Sequence, residues 1–194
     1  MRLTLTSSSY QAPIRRGLFL YIFSGLLMCY YDKMMVSEKY NPQSLEEMQQ
    51  IAAEFVSNLI LSTDTATIVG LYGELGSGKT TFTQGVARAL RITETVVSPT
   101  FVIEKIYQIQ KNNNTNNYTK NTEQKFTHFI HIDSYRLEKS EELLQLGWKE
   151  IISNPNNLIF IEWPERVIDI MPPHIKLVFS HVSENVRELE IMPM

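Results

Sequence analysis

Between residues 44 and 61 apolar side chains return every three or four positions, so that Leu45, Met48, Ala52, Phe55 and Leu59 share one face of a helix. Ser44 followed by Glu47 makes a capping box and fixes where that helix starts. After the polar break Ser62-Thr63-Asp64 the pattern changes. Thr65 to Tyr72 (TATIVGLY) is a β-branched and apolar run, which predicts a strand buried on both faces, as in a parallel sheet covered by helices. Lys79 to Leu90 (KTTFTQGVARAL) predicts a second helix, with Gly85 in its interior. Strands are expected over Phe101–Ile109, Phe126–Ile132, Leu158–Trp163, Ile175–Val182 and Arg187–Met192. A short helix is expected from a cap at Ser140 to Leu146, ended by Gly147 and followed by a further turn over Trp148–Ile152. The succession predicts an α/β domain whose central, mostly parallel sheet is flanked by helices.

Two stretches stand outside this pattern. The run KNNNTNNYTKNTEQ cannot bury a core, and it predicts a flexible hairpin insertion at about residues 110–125. Near the start, Arg15 and Arg16 precede an apolar run from Gly17 to Tyr31. That run is shorter than the roughly 20 residues a membrane span needs. No small-x-small cleavage site follows it. Met34 and Met35 stand just after it, so three readings stay open: a true start of translation there, a loosely packed extension, or a membrane-seeking segment. The expected organisation is an N-terminal extension over 1–40 and one domain over 41–194, with no stable membrane association.

At 194 residues and 43% hydrophobic, the chain has room for one ordinary core. A formal net charge of −3 lacks the basic excess of a protein that grips nucleic acid unaided, so any RNA would be held by a partner. The single cysteine, Cys29, excludes an internal disulfide and a cysteine-based zinc site, which fits a reducing cytoplasm.

The strongest chemical signal is Gly73-Glu74-Leu75-Gly76-Ser77-Gly78-Lys79-Thr80, which matches G-x-x-x-x-G-K-[ST] between a predicted strand and a predicted helix. Glycines let successive backbone N–H groups turn inward around phosphates, and the following helix adds free N–H donors and the positive end of its dipole. Lys79 would supply a point charge to the β- and γ-phosphates, and the Thr80 hydroxyl an oxygen ligand to Mg²⁺. Such a loop also needs a carboxylate at the end of a neighbouring apolar strand. Glu162, after Leu158-Ile159-Phe160-Ile161, and Asp133, after Phe129-Ile130-His131-Ile132, both qualify, and the residues alone leave open which one meets the ion.

Further along stand Ser98-Pro99-Thr100-Phe101, His131-Ile132-Asp133-Ser134-Tyr135-Arg136, Leu143 to Glu150 (LLQLGWKE) and Glu162-Trp163-Pro164-Glu165. From Ser44 onward this order of signatures resembles the TsaE family, the P-loop proteins of bacterial threonylcarbamoyladenosine formation on tRNA. The resemblance implies a compact P-loop ATPase that works with TsaB and TsaD, meets tRNA only through that complex, and supports repeated cycles of threonylcarbamoyl transfer. It implies that Gly73 to Thr81 bind the phosphates of ATP, that Thr80 and Glu162 hold magnesium, and that Asp133 lies beside the γ-phosphate as a second acidic group serving magnesium-bound or attacking water. Thr100 would sense that phosphate from a switch-like loop, so Lys79, Asp133 and Thr100 form the expected catalytic set. Trp163 would pack near the nucleotide or serve the core or a partner. Tyr135 and Arg136 would support the structure or meet the partner. His131 reads as a strand residue, because no second histidine or cysteine stands at ligand spacing. Two other classes remain as alternatives: a small-molecule or nucleotide kinase, disfavoured by the lack of an arginine-rich lid, and a nucleotide-regulated binding module.

Overall fold

The computed structural model describes residues 19–23, 26–30, 37–59, 62–110, 126–183 and 186–192. Contacts divide the chain into units at residues 1–36 and 37–194. In the first, the apolar run forms a hairpin in which β1 (Phe19–Phe23) pairs antiparallel with β2 (Leu26–Tyr30), Phe19 opposite Tyr30. Most of the expected N-terminal extension and the Asn-rich insertion lie outside the described residues.

The second unit runs β3 (Glu38–Tyr40), α1 (Leu45–Asn58), β4 (Thr67–Tyr72), α2 (Lys79–Ala89), β5 (Glu104–Gln108), β6 (His128–Asp133), α3 (Ser140–Gln145), α4 (Trp148–Ile152), β7 (Asn157–Glu162), a 3₁₀ segment (Pro164–Ile170), β8 (Ile175–His181) and β9 (Arg187–Met192). The strands form one seven-stranded sheet in the order β3-β9-β8-β4-β7-β6-β5. The four inner strands β8, β4, β7 and β6 are parallel; β5 pairs antiparallel with β6 on one edge, and on the other β9 pairs antiparallel with both β8 and β3. The inner strands are parallel because helical crossovers join them, and those helices bury both faces.

The alternation of side chains sorts the core into two layers. Val69 and Leu71 of β4, Phe129 of β6, Leu158 and Phe160 of β7 and Leu177 and Phe179 of β8 pack with Met48 and Ala52 of α1 and Phe82 and Val86 of α2. Their sequence neighbours Ile68, Ile130, Ile132, Ile159 and Ile161 turn the other way, to Leu143 of α3, Trp148 of α4 and Val167. Trp148 is buried, and its indole N–H donates to the Ile170 carbonyl at 3.2 Å, so it is anchored as well as packed.

Gly85 sits in α2 because α1 crosses there. A Cβ on Gly85 would lie 2.8 Å from Ala52 Cβ and 3.0 Å from Gln49 Cα. Alanine would gain about 1 kcal/mol of helix propensity. Forcing the two helices apart costs about 1–3 kcal/mol. Gly85→Ala should therefore destabilise the fold by up to about 2 kcal/mol, read as a lower urea midpoint at unchanged slope.

Some local expectations shift. Phe101–Ile103, expected as the start of a strand, instead form a turn in which the Val102 and Ile103 N–H groups both donate to the Pro99 carbonyl, and Ile103 adopts φ 67°. Ser140 is the first residue of α3 rather than its cap; its hydroxyl donates to Asp169, and Glu142 turns back to accept from the Glu138 and Lys139 N–H groups. Strand β3 lies ahead of the domain start expected at residue 41, paired with β9 through Tyr40 opposite Leu189. Among the described residues no helix is long and apolar enough to cross a membrane.

Candidate functional site

The loop from Gly73 to Gly78 leaves the carboxyl end of the central strand β4 and enters α2, where an open parallel sheet presents its ligand crevice. Gly73, Gly76 and Gly78 all have positive φ, at 129°, 75° and 111°. Among the described residues no side chain caps α2, so its first N–H groups are available to an anion. Glu74 and Leu75 form the exposed tip, with Leu75 80% exposed. Ser77 is buried, and among the described residues its hydroxyl has no partner. Thr81, in the first turn of α2, is partly exposed.

Lys79 is only 4% exposed, although it carries a charge. Its Nζ donates to the Gly73 carbonyl at 2.6 Å and the Glu74 carbonyl at 2.9 Å, and lies 4.2 Å above the centre of the Trp163 ring. Burial pushes its pKa down; Glu162, Asp133, Glu165 and Glu74 pull it back up. The ammonium is thus desolvated and lacks a contacting anion among the described residues, a setting that favours an incoming phosphate.

Both candidate carboxylates are brought to this point. Asp133 ends β6 and Glu162 ends β7, and the two stand opposite each other in the parallel register. By alternation they share the face of Phe129, Leu158 and Phe160, the one packed against α2. Thr80 Oγ1 donates to Glu162 Oε1 at 2.9 Å. Asp133 is engaged elsewhere: its Oδ2 accepts from both Ser98 Oγ and Thr100 Oγ1, and its Oδ1 accepts from the Tyr135 N–H at 3.0 Å. The Ser98 and Thr100 hydroxyls also touch, at 2.7 Å. The expected switch-like loop is therefore clasped onto Asp133 by two side chains.

Among the described residues no cluster of three or more His, Cys, Asp or Glu could hold a metal alone. A hydroxyl and a carboxylate in contact still fit Mg²⁺, a hard cation that takes one or two protein oxygens and completes its shell with phosphate oxygens and water.

Trp163 follows Glu162 in the left-handed conformation, φ 58° and ψ 46°, a costly one for a bulky residue, with its N–H bonded to the Leu71 carbonyl at 3.2 Å. That turn places its ring between Lys79 and Tyr135, whose ring centre is 5.1 Å away. Arg136 lies 4.3 Å over the ring of Phe101, which is 84% exposed, so this pair belongs to the outer rim.

Two residues without a site role in the sequence reading lie inside the site. Ser98 supplies one of the two hydroxyls on Asp133. His131 is fully buried, and its Nε2 is 2.9 Å from Glu162 Oε1. The signal for His131 was its place two residues before Asp133 on a strand, which puts both on one face.

Comparison with known proteins places the chain in a family. The family model described as "Threonylcarbamoyl adenosine biosynthesis protein TsaE" matches residues 42–189. The proteins named "tRNA threonylcarbamoyladenosine biosynthesis protein TsaE" from Nostoc sp., Rickettsia prowazekii and Haemophilus influenzae are 35%, 31% and 30% identical to this chain. The matches cover 66%, 75% and 75% of this chain and 70%, 88% and 82% of theirs. The crystal structure of Bacillus subtilis YdiB superposes with a TM-score of 0.58 at 24% identity, covering 81% of this chain and 86% of that one, which shows the shared fold. By the span of the family model and the coverage of these relatives, the chain belongs to the TsaE family of tRNA threonylcarbamoyladenosine biosynthesis.

Proposed function

We propose that this chain binds ATP with Mg²⁺ at the Gly73–Thr81 loop, hydrolyses it, and thereby supports repeated turnover of the TsaB–TsaD transferase on tRNA in the cytoplasm. The observation that carries the reading is the 2.9 Å contact between Thr80 Oγ1 and Glu162 Oε1, which joins the first turn of the phosphate-binding helix to the acidic end of an inner strand. Thr80 and Glu162 would hold the ion, which when bound offsets charge on the β- and γ-phosphate oxygens. Lys79 exchanges the Gly73 and Glu74 carbonyls for phosphate oxygens, and the free N–H groups of the loop and α2 take the rest. Trp163 walls the crevice beside the Lys79 ammonium. Asp133 orients the attacking water once Ser98 and Thr100 release it.

The test is ATP hydrolysis by the purified chain, alone and with TsaB, TsaD and unmodified tRNA, together with the number of modified tRNAs formed per TsaD. Stimulation by the partners and many turnovers, both lost in Lys79→Ala, is the expected result. Partners that change neither quantity would count against this reading.

The clasp on Asp133 also suits a second reading, in which ATP sets the affinity for a partner and hydrolysis is incidental. Asp133→Ala separates the two. Under the hydrolytic reading it should lower ATP turnover about 100-fold, with ATP affinity within about threefold of wild type, because Asp133 acts on water rather than on the bound phosphates. Full support of tRNA modification by that variant would favour the binding module.

A further inference from the structure

We infer that His131 is a positioning residue for the ion-binding carboxylate: its Nε2–H holds Glu162 Oε1 and turns the carboxylate toward Thr80 and the ion. This rests on the reading of Thr80 and Glu162 as the Mg²⁺ ligands. Glu162 Oε1 accepts from two sides, from Thr80 Oγ1 at 2.9 Å and from His131 Nε2 at 2.9 Å, while among the described residues Oε2 accepts no hydrogen bond. A carboxylate whose one oxygen is pinned by two donors has little rotational freedom left, and its other oxygen keeps a fixed direction. Removing a group that holds a metal's ligand in this way typically costs about 10–100-fold in metal affinity or activity.

The ring has one consistent tautomer. Its Nδ1 is buried and, among the described residues, has no partner. With the proton on Nε2, Nδ1 is a bare acceptor and Nε2 donates to the carboxylate. With the proton on Nδ1, a buried N–H would go unpaired and the Nε2 lone pair would face a carboxylate oxygen, the worse arrangement twice over.

A packing role alone does not explain the residue. His131 is 0% exposed on the same strand face as Phe129, next to Phe160 of β7 in the parallel register. In that apolar layer a phenylalanine would leave no orphaned nitrogen, so a position selected for packing would not favour histidine. The imidazole is accounted for by what its one bond does to Glu162.

The experiment measures ATP affinity by calorimetry, with Mg²⁺ and with EDTA, for wild type, His131→Phe, His131→Gln and Glu162→Gln, each checked by thermal melting without ligand. Wild type should bind more tightly with Mg²⁺, and Glu162→Gln should lose that gain. His131→Phe should keep its melting temperature or raise it, keep its affinity in EDTA within about twofold, and lose about 10–100-fold of the Mg²⁺-dependent gain. His131→Gln should recover most of it, because the glutamine amide can place an N–H where Nε2 stood. Nitrogen-15 NMR of the wild-type imidazole, which needs no variant, should show the Nε2–H form. A His131→Phe protein with the full Mg²⁺ gain, beside a Glu162→Gln protein without it, would overturn the role of His131 and leave the site reading intact; so would the Nδ1–H form. If Glu162→Gln itself bound like wild type with Mg²⁺, the ligand assignment would fail, and the inference with it.

Discussion

Lys79→Met should lower ATP affinity and turnover by about 100–1,000-fold while leaving the unliganded fold as stable as wild type or more so. The two halves have one cause. Lys79 is nearly enclosed, and the largest influence on its ammonium is the loss of water, which favours the neutral form. Two carbonyls and the face of Trp163 satisfy it in part, and the carboxylates around it act without touching it. Methionine keeps most of the side chain's volume and removes the buried charge, at the cost of two carbonyls that lose a donor. The phosphates, by contrast, lose a cation already at the mouth of the loop. The pH dependence follows with a definite sign. A lysine whose folded pKa lies below its ordinary 10.5 binds fewer protons in the folded state, so wild type should gain stability as pH rises from the folded value toward 10.5. Lys79→Met should lack that gain. Melting curves across this window, with calorimetry of ATP binding, check both parts. Undiminished turnover by the variant would sink the functional half, and a large fall in unliganded stability the other.

The phosphate loop was legible in the sequence because its chemistry is local: eight consecutive residues specify the turn, the lysine and the helix start. The buried strands were legible for a related reason, since LIFIEW and TATIVGLY leave no polar face. Which of Glu162 and Asp133 lies against Thr80 depends on what no local pattern carries, the order and register of strands far apart in the chain. Only when β7 lies between β4 and β6, with Asp133 opposite Glu162, does Thr80 reach Glu162 while Asp133 falls to Ser98 and Thr100. His131 carries no ligand-spacing signal in the sequence, because its partner is a carboxylate contributed by another strand. The turn at Phe101–Ile103 went unread because Phe, Val and Ile all favour strands; the Pro99 carbonyl captures two N–H groups there and overrides that preference. The edge strand Glu38–Tyr40 is short, with two of its three residues charged, as exposed edges tend to be, and carries almost no periodic signal.

Gly73→Ala should destabilise the fold by about 2–5 kcal/mol, a loss made in the apo protein before any nucleotide is considered. Gly73 has φ 129°, outside the range an L side chain adopts readily, and a Cβ there would stand 2.2 Å from the carbonyl oxygen of Phe179. That oxygen belongs to the backbone of β8, which runs parallel to β4 with Val178 opposite Tyr72, so it cannot swing aside as a side chain could. Either β8 separates from the central strand or the loop leaves its path, and both strain the layer that contains Leu177 and Phe179. Gly76 provides the contrast. Its φ is 75°, but among the described residues nothing lies within 4 Å of a Cβ built on it, so Gly76→Ala should cost only about 1–2 kcal/mol of backbone strain. Urea unfolding of the two variants without nucleotide checks the ordering, and equal midpoints would contradict it. The difference also decides how kinetics are read. With domain stabilities of about 5–15 kcal/mol, Gly73→Ala can leave a substantial unfolded fraction, so lost ATP turnover in that variant reports folding first. In Gly76→Ala, which keeps most of its stability, the same loss would report the phosphate cradle.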